Sequence, residues 1–169
     1  MSPSSNSYPP LSEDVKEGYH SIVNHCLHPK FHTEAFEFIN QLVNYSDDEQ
    51  YFSTFNYVLE YFQKKKWYCL QFFDWKQEVQ DLEHFIQFAV TNHFETTVRL
   101  PHPSTYGTEA SISSEGVFED YDQKLRDIGL QLGCIDTDSD EYILVIHRID
   151  DIEAIAQAAL DIGMDYYEF

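Results

Sequence analysis

Residues Tyr142 to Ile146 read YILVI, apolar at every position. A strand with one wet face alternates in polarity, whereas an unbroken run suits a strand covered on both faces. A second apolar run, Leu130 to Ile135, precedes it. The two are joined by Asp136-Thr137-Asp138-Ser139-Asp140, whose Asp and Ser side chains favour turns. The sequence therefore predicts a hairpin at the heart of a sheet, and the rest of the chain must cover it. Leu, Ile, Val and Phe make 46 of the 169 residues, with 12 Tyr and 2 Trp besides. That is too much apolar surface for a disordered, collagen-like or coiled-coil chain, and the length suits one domain.

Helices are expected to do the covering. Ser12 is a ready N-cap, with Glu13 and Asp14 behind it and Val15, Tyr19, Ile22, Val23 and Cys26 on one face. Thr33 is the expected cap of a second helix, and Asp47 or Asp48 of a third, in which Phe52, Phe55, Val58, Leu59 and Phe62 recur at threes and fours. Trp67 to Asp74 reads as a strand, and Val79 to Val90 as a fourth helix. Thr96 to Leu100 is a candidate strand, residues 101–116 a long loop, and Phe118 to Ile128 a further helix. Ile152 to Leu160 forms the last helix, stopped by Gly163, and Asp165 to Phe169 an edge strand. The fold class is α+β: N-terminal helices packed with a mixed, largely antiparallel sheet. Residues 1–11, rich in Ser and Pro, are expected as a flexible arm, and 12–169 as a single domain.

Thirty acids against ten bases leave a formal charge of −20. It is uneven: residues 1–108 hold 14 acids and 7 bases, and residues 109–169 hold 16 and 3. Such a surface repels nucleic acid and anionic membranes and attracts basic partners. The lysines at 64–66 suit the negative end of the third helix. Cys26, Cys69 and Cys134 are odd in number and widely spaced, which fits a reducing compartment. With neither a signal peptide nor a long apolar run in the sequence, the expected location is the cytoplasm.

Chemistry-bearing clusters are few. DTDSDE resembles the start of a calcium loop, but Glu141 stands where the loop needs Gly and His147 where it needs a bidentate Glu. His25, Cys26, His28 and His32 crowd one helix end, yet a zinc site needs further ligands that the sequence does not pair with them. Cys69 and Cys134 lie in apolar strands, where a thiol is an inert hydrophobe. Phosphate-binding, nucleophile-elbow and zinc-protease motifs are absent. No cofactor is expected and no enzyme is indicated. From Trp67 to Trp75 aromatics cluster, one alternate set for the core and the other covered or displayed.

FFDWK (Phe72 to Lys76) followed by CIDTDSDEYILVI (Cys134 to Ile146) resembles a bacterial family designated only as a domain of unknown function. The resemblance covers residues 67–169 and implies a bacterial, cytoplasmic, single-domain protein, with no catalytic residues to carry over. In size and acidity the chain is also similar to bacterial immunity proteins, which cover a toxin's site. The leading expectation is a non-enzymatic acidic domain that binds a basic protein, such as a toxin it inhibits. Glu119, Asp120, Asp122, Asp136, Asp138, Asp140 and Glu141 are the expected partner-binding residues. Two alternatives stand beside it: a divalent-metal-dependent hydrolase built on Asp136, Asp138 and Asp140, and an acidic mimic of nucleic acid.

Overall fold

The computed structural model of the chain describes residues 8–169. The hairpin lies at the centre of a four-stranded sheet. Strand β2, Leu130–Asp136, pairs with β3, Glu141–Arg148, in a register that runs from Leu130↔Arg148 to Ile135↔Ile143. β1, Gln71–Asp74, lies outside β3, and β4, Asp165–Glu168, lies outside β2. The fold is α+β, and the sheet is antiparallel at every pairing rather than mixed.

Both faces of the hairpin are buried because alternate side chains enter two different cores. Ile135, Ile143 and Val145 point to one side, where helices α1 (Glu13–Cys26), α2 (His32–Asn40), α3 (Thr54–Lys64) and α6 (Ile152–Asp161) pack. Leu132, Cys134, Leu144 and Ile146 point to the other, against α4 (Val79–His93) and α5 (Val117–Arg126). Burial at about 25 cal/mol per Å² makes these two cores the main stabilising term. α1 and α6 cross closely at Gly18, where a Cβ would stand 2.8 Å from the Ala158 carbonyl oxygen.

Several expected boundaries move, each for a local reason. Ser12 caps α1 as expected, accepting the Val15 N–H. α2 begins at His32 because Pro29–Phe31 first forms a 3-10 turn, whose Lys30 N–H is accepted by His28 Nδ1 at 3.1 Å. Asp48 does not start α3: its carboxylate accepts the N–H groups of Gln50 and Tyr51, and Ser53 caps the helix instead. The strand expected from Trp67 shortens to Gln71–Asp74, since Lys66 and Tyr68 take left-handed φ values of 56° and 49° and turn the chain. Thr96 to Leu100 is no strand; it runs beside α4, where Gln87 donates to the Val98 carbonyl at 3.2 Å.

The long segment 101–116 is seated rather than loose. Ile112 is fully buried, its N–H donates to the Gln77 carbonyl at 2.9 Å, and Ser113 donates to the Trp75 carbonyl at 2.9 Å. Of the expected arm, residues 1–7 lie outside the described residues. Residues 8–11 depart from that expectation, since the Pro9 carbonyl accepts the Asn44 N–H at 2.9 Å and Leu11 packs on the first core.

Two buried histidines are held neutral. His93 Nε2–H donates to the Trp67 carbonyl, while Nδ1 accepts the His28 N–H at 3.3 Å. Burial depresses its pKa from 6.5 to about 4. His147, buried on the first-core face, donates from Nδ1 to the Arg148 carbonyl at 2.6 Å and accepts the Tyr166 hydroxyl on Nε2 at 2.7 Å. Burial lowers its pKa as well. The Tyr166 ring lies over Gly133, occupying the space a Cβ would need.

Two expectations follow. The unfolded chain binds protons more tightly at these histidines, so stability is full above pH 6.5 and falls as pH drops toward about 4. His93 alone accounts for about 3 kcal/mol of that loss. Urea unfolding across this window checks it, and His93→Gln, which keeps a donor and an acceptor, flattens the slope. Gly133→Ala displaces the Tyr166 ring and costs about 3 kcal/mol; urea unfolding of that variant at neutral pH reads the loss.

Candidate functional site

Antiparallel pairing brings the C-terminal ends of β1 and β2 to the same edge as the N-terminal starts of β3 and β4. At that edge every strand carries an acid: Asp74 on β1, Asp136 on β2, Glu141 on β3 and Asp165 on β4. Asp74 sits directly opposite Glu141, and Asp136 directly opposite Asp165. Like charges placed so oppose pairing, by roughly 0.2–1 kcal/mol each. Among the described residues none of these four acids, nor Asp138 or Asp140, forms an ion pair. The acid rim is thus a concentration of negative charge that the fold itself does not neutralise.

The turn within the rim is built by short polar side chains. Asp136 accepts the Asp138 N–H at 2.9 Å, Thr137 and Ser139 share a hydroxyl bond at 2.9 Å, and Ser139 accepts the Glu141 N–H at 3.3 Å. Asp138 itself adopts a left-handed φ of 56°, which Asp tolerates better than most residues. These bonds, one of them to the Asp136 carboxylate, close the turn itself. Among the described residues no group of three His, Cys, Asp or Glu is placed to hold a metal ion. The histidine cluster disperses likewise: His25 pairs with Asp151 at 3.1 Å, and His32 donates to the Leu27 carbonyl at 2.8 Å.

Beside the rim lies a cleft of about 500 Å³ lined by Trp75, Ser113, Asp140, Glu141, Tyr142 and Tyr167, among others. Trp75 is 45% exposed and Tyr167 37%. The Lys76 ammonium stands 4.7 Å from the centre of the Trp75 ring. Of the aromatic stretch before the cleft, Trp67 and Phe73 are core, whereas Phe72 and Trp75 are displayed. Phe118 packs edge-on to Tyr142 at 5.0 Å. Glu119 and Asp120, which follow it in the first turn of α5, are exposed, and Asp120 accepts the Tyr106 hydroxyl at 2.8 Å.

Asp122 departs from the expected set. It is buried, with one carboxylate oxygen accepting the Leu132 N–H at 2.8 Å and the other accepting Arg126 Nε–H at 2.6 Å. Leu132 lies one residue past the end of the β4 pairing, so Asp122 supplies an acceptor there. Arg126 in turn donates to Glu168 at 3.1 Å, which joins α5, β2 and β4. A partner's cation has no access to this carboxylate. The thiols are also closed off: burial pushes Cys69 up to about 12 and raises Cys26 and Cys134.

Sequence reading missed Trp75, Tyr167, Asp74 and Asp165 as members of the site. Alternation places Trp75 in the same set as the buried Phe73, and its display follows only from the end of the strand at Asp74. These placements separate the acids by role. Asp122→Ala strands the Leu132 N–H and one side of Arg126, with an expected loss of about 3 kcal/mol. Asp138→Asn on the exposed turn changes stability by less than about 0.5 kcal/mol. Chemical denaturation of the two variants side by side measures both.

Among the described residues, no helix is long and apolar enough to cross a membrane. No curated protein and no solved structure matches the chain. A family model described as a domain of unknown function, DUF6630, matches residues 22–169. The match extends well upstream of residue 67, so the end of α1 together with α2 and α3 belongs to the shared unit along with the sheet. By that match over nearly its whole length, the chain belongs to the DUF6630 family of domains of unknown function.

Proposed function

We propose that this protein is a non-enzymatic binding domain whose acid rim and neighbouring aromatic cleft dock a basic protein. The observation that carries the reading is the juxtaposition of unpaired carboxylates at all four strand ends with the displayed rings of Trp75 and Tyr167. Opposed acids such as Asp74 and Glu141 destabilise the sheet, and a cationic partner would relieve that repulsion. Aromatic anchors beside charge are the usual composition of a protein-binding hot spot. Asp136, Asp138, Asp140 and Glu141 would steer the encounter, with Glu119 and Asp120 on the flanking helix adding to the field. Trp75 and Tyr167 would hold the complex once formed. An immunity-type inhibitor, which covers a toxin's cationic site, is the form of this function the charge suits best.

Steering and anchoring separate kinetically. Charge complementarity acts on the association rate and weakens with salt, whereas buried anchors act on dissociation. A partner recovered from host lysate at low salt supplies the reagent for stopped-flow measurement. Replacing Asp136, Asp138 and Asp140 by Asn, and Glu141 by Gln, is expected to slow association about tenfold at low salt and little at high salt. Trp75→Ala is expected to raise the dissociation rate about tenfold or more with association nearly unchanged. An association rate independent of both salt and the four substitutions would rule the reading out.

A further inference from the structure

A second cleft, of about 300 Å³, lies between β1 and α4 and shares no lining residue with the cleft at the acid rim. Four aromatic rings wall it. Phe73 and Phe85 rise from the core and meet edge to face at 5.6 Å, while Tyr68 and Phe88 are half-buried and meet edge to face at 5.2 Å. Asp81 and His84 of α4 line the same cleft, with Gln71 and Gln77 completing the wall, and Asp81 is its one acid. Among the described residues Asp81 has no ion-pair partner. Its place in the first turn of α4 suits the helix dipole. The dipole does not account for four rings gathered beside the carboxylate.

Tyr68 adds an independent observation. Its φ of 49° lies in the left-handed region, which an aromatic residue rarely occupies. Its neighbours Trp67 and Cys69 enter the first core, and this backbone turn sends the Tyr68 ring to the other side, into the cleft wall. Outliers of this kind gather at binding sites, where surrounding structure holds them.

We propose that this cleft binds the alkylammonium or guanidinium head of an organic cation. The faces of aromatic rings are electronegative, so rings beside a carboxylate form a cage for positive charge with an apolar stem. An anion would meet the unpaired Asp81 carboxylate. A purely apolar guest would bury Asp81 without a partner. A bare metal ion would find one carboxylate and one imidazole where it needs several ligands. The overall charge of −20 raises the local concentration of any cation. A free small amine and a lysine or arginine side chain share this chemistry. The inference stands apart from the proposed docking at the acid rim, because the two clefts use different residues.

Titration of the isotope-labelled protein by NMR tests it, with n-butyltrimethylammonium and n-butylguanidinium as cations and 3,3-dimethylbutan-1-ol as a neutral probe of similar bulk. The cations are expected to shift the backbone signals of Tyr68, Gln77 and Phe88 saturably, with the alcohol about tenfold weaker or more. Asp81→Asn should weaken cation binding about tenfold at low salt and less at high salt. Phe88→Leu, which keeps the apolar volume and removes the ring, should weaken it about fivefold. Unchanged spectra away from the cleft show that each variant is folded. Tighter binding of Nα-acetyl-lysine methylamide than of n-butylamine assigns the site to a protein side chain, and equal binding assigns it to a free amine. The proposal is overturned by equal binding of alcohol and cations, by Asp81→Asn binding like the parent, or by the absence of saturable shifts.

Discussion

The two-sided burial of the β2–β3 hairpin sets the terms for everything else in this molecule. From Ile143 to Ile146 no side chain on β3 is more than 2% exposed, and alternate ones enter different cores. A strand buried on both faces cannot stand at the surface of a two-layer fold, so helices are needed above and below. α1, α2, α3 and α6 form one layer, and α4 and α5 with segment 101–116 form the other. The outer strands then have a narrower task, which is to cover the hairpin's flanks. Both are short, four residues each, and short charged edges resist pairing with other chains.

The two ends of the sheet meet the cost of polar groups differently. At one end Asp122, Arg126, Glu168 and Gln131 join α5 to β2 and β4, and His147 and Tyr166 join β3 to β4. Nearly every buried polar atom there has a partner, Gln131 Oε1 being the unsatisfied one. Such networks fix register because a slip would strand several groups at once. At the other end Asp74 opposes Glu141 and Asp136 opposes Asp165, and among the described residues none of the four forms an ion pair. The same residue type is structural where it is paired and buried, and spare where it is exposed and repelled. That contrast, rather than the total charge, is what the proposed docking face rests on.

How far the sequence discloses this arrangement depends on whether the signal is periodic. The hairpin is legible because its apolar runs are unbroken, and α1 with its Ser12 cap and α6 because burial repeats at three and four residues. β1 is less so: Lys66 and Tyr68 are ordinary residues in left-handed geometry, and nothing local announces that turn. Asp48 has the composition of a helix cap but closes a turn instead, since Ser53 lies nearer the first buried residues of α3. Asp122 was legible in principle. It shares the spacing of Phe118, Tyr121 and Leu125, with Arg126 four residues on, so an inward acid with a ready cation is written there. The acid rim was legible only in part, because Asp136 to Glu141 are contiguous while Asp74 and Asp165 reach it through strand order.

Strand order also explains why charge and aromatics meet where they do. β1 is distant in sequence from β4, yet their two ends border one rim, and Trp75 and Tyr167 line one cleft beside it. On β1 the alternation that sends Phe73 into the core leaves Phe72 outside, and the chain that follows Asp74 carries Trp75 to the rim. On β4 Tyr166 is committed to the His147 side, which leaves Tyr167 on the cleft side. Phe72 and Tyr167 are therefore by-products of the same period of two that fills the cores, and Trp75 is displayed because the strand ends at Asp74. The carboxylates opposed across both strand pairs are not such by-products: Asp74 and Asp136 each accept a local backbone N–H, yet among the described residues no ion pair offsets their repulsion. A fold that keeps them bears a standing repulsion at one edge, and a positive surface is the complement that would remove it.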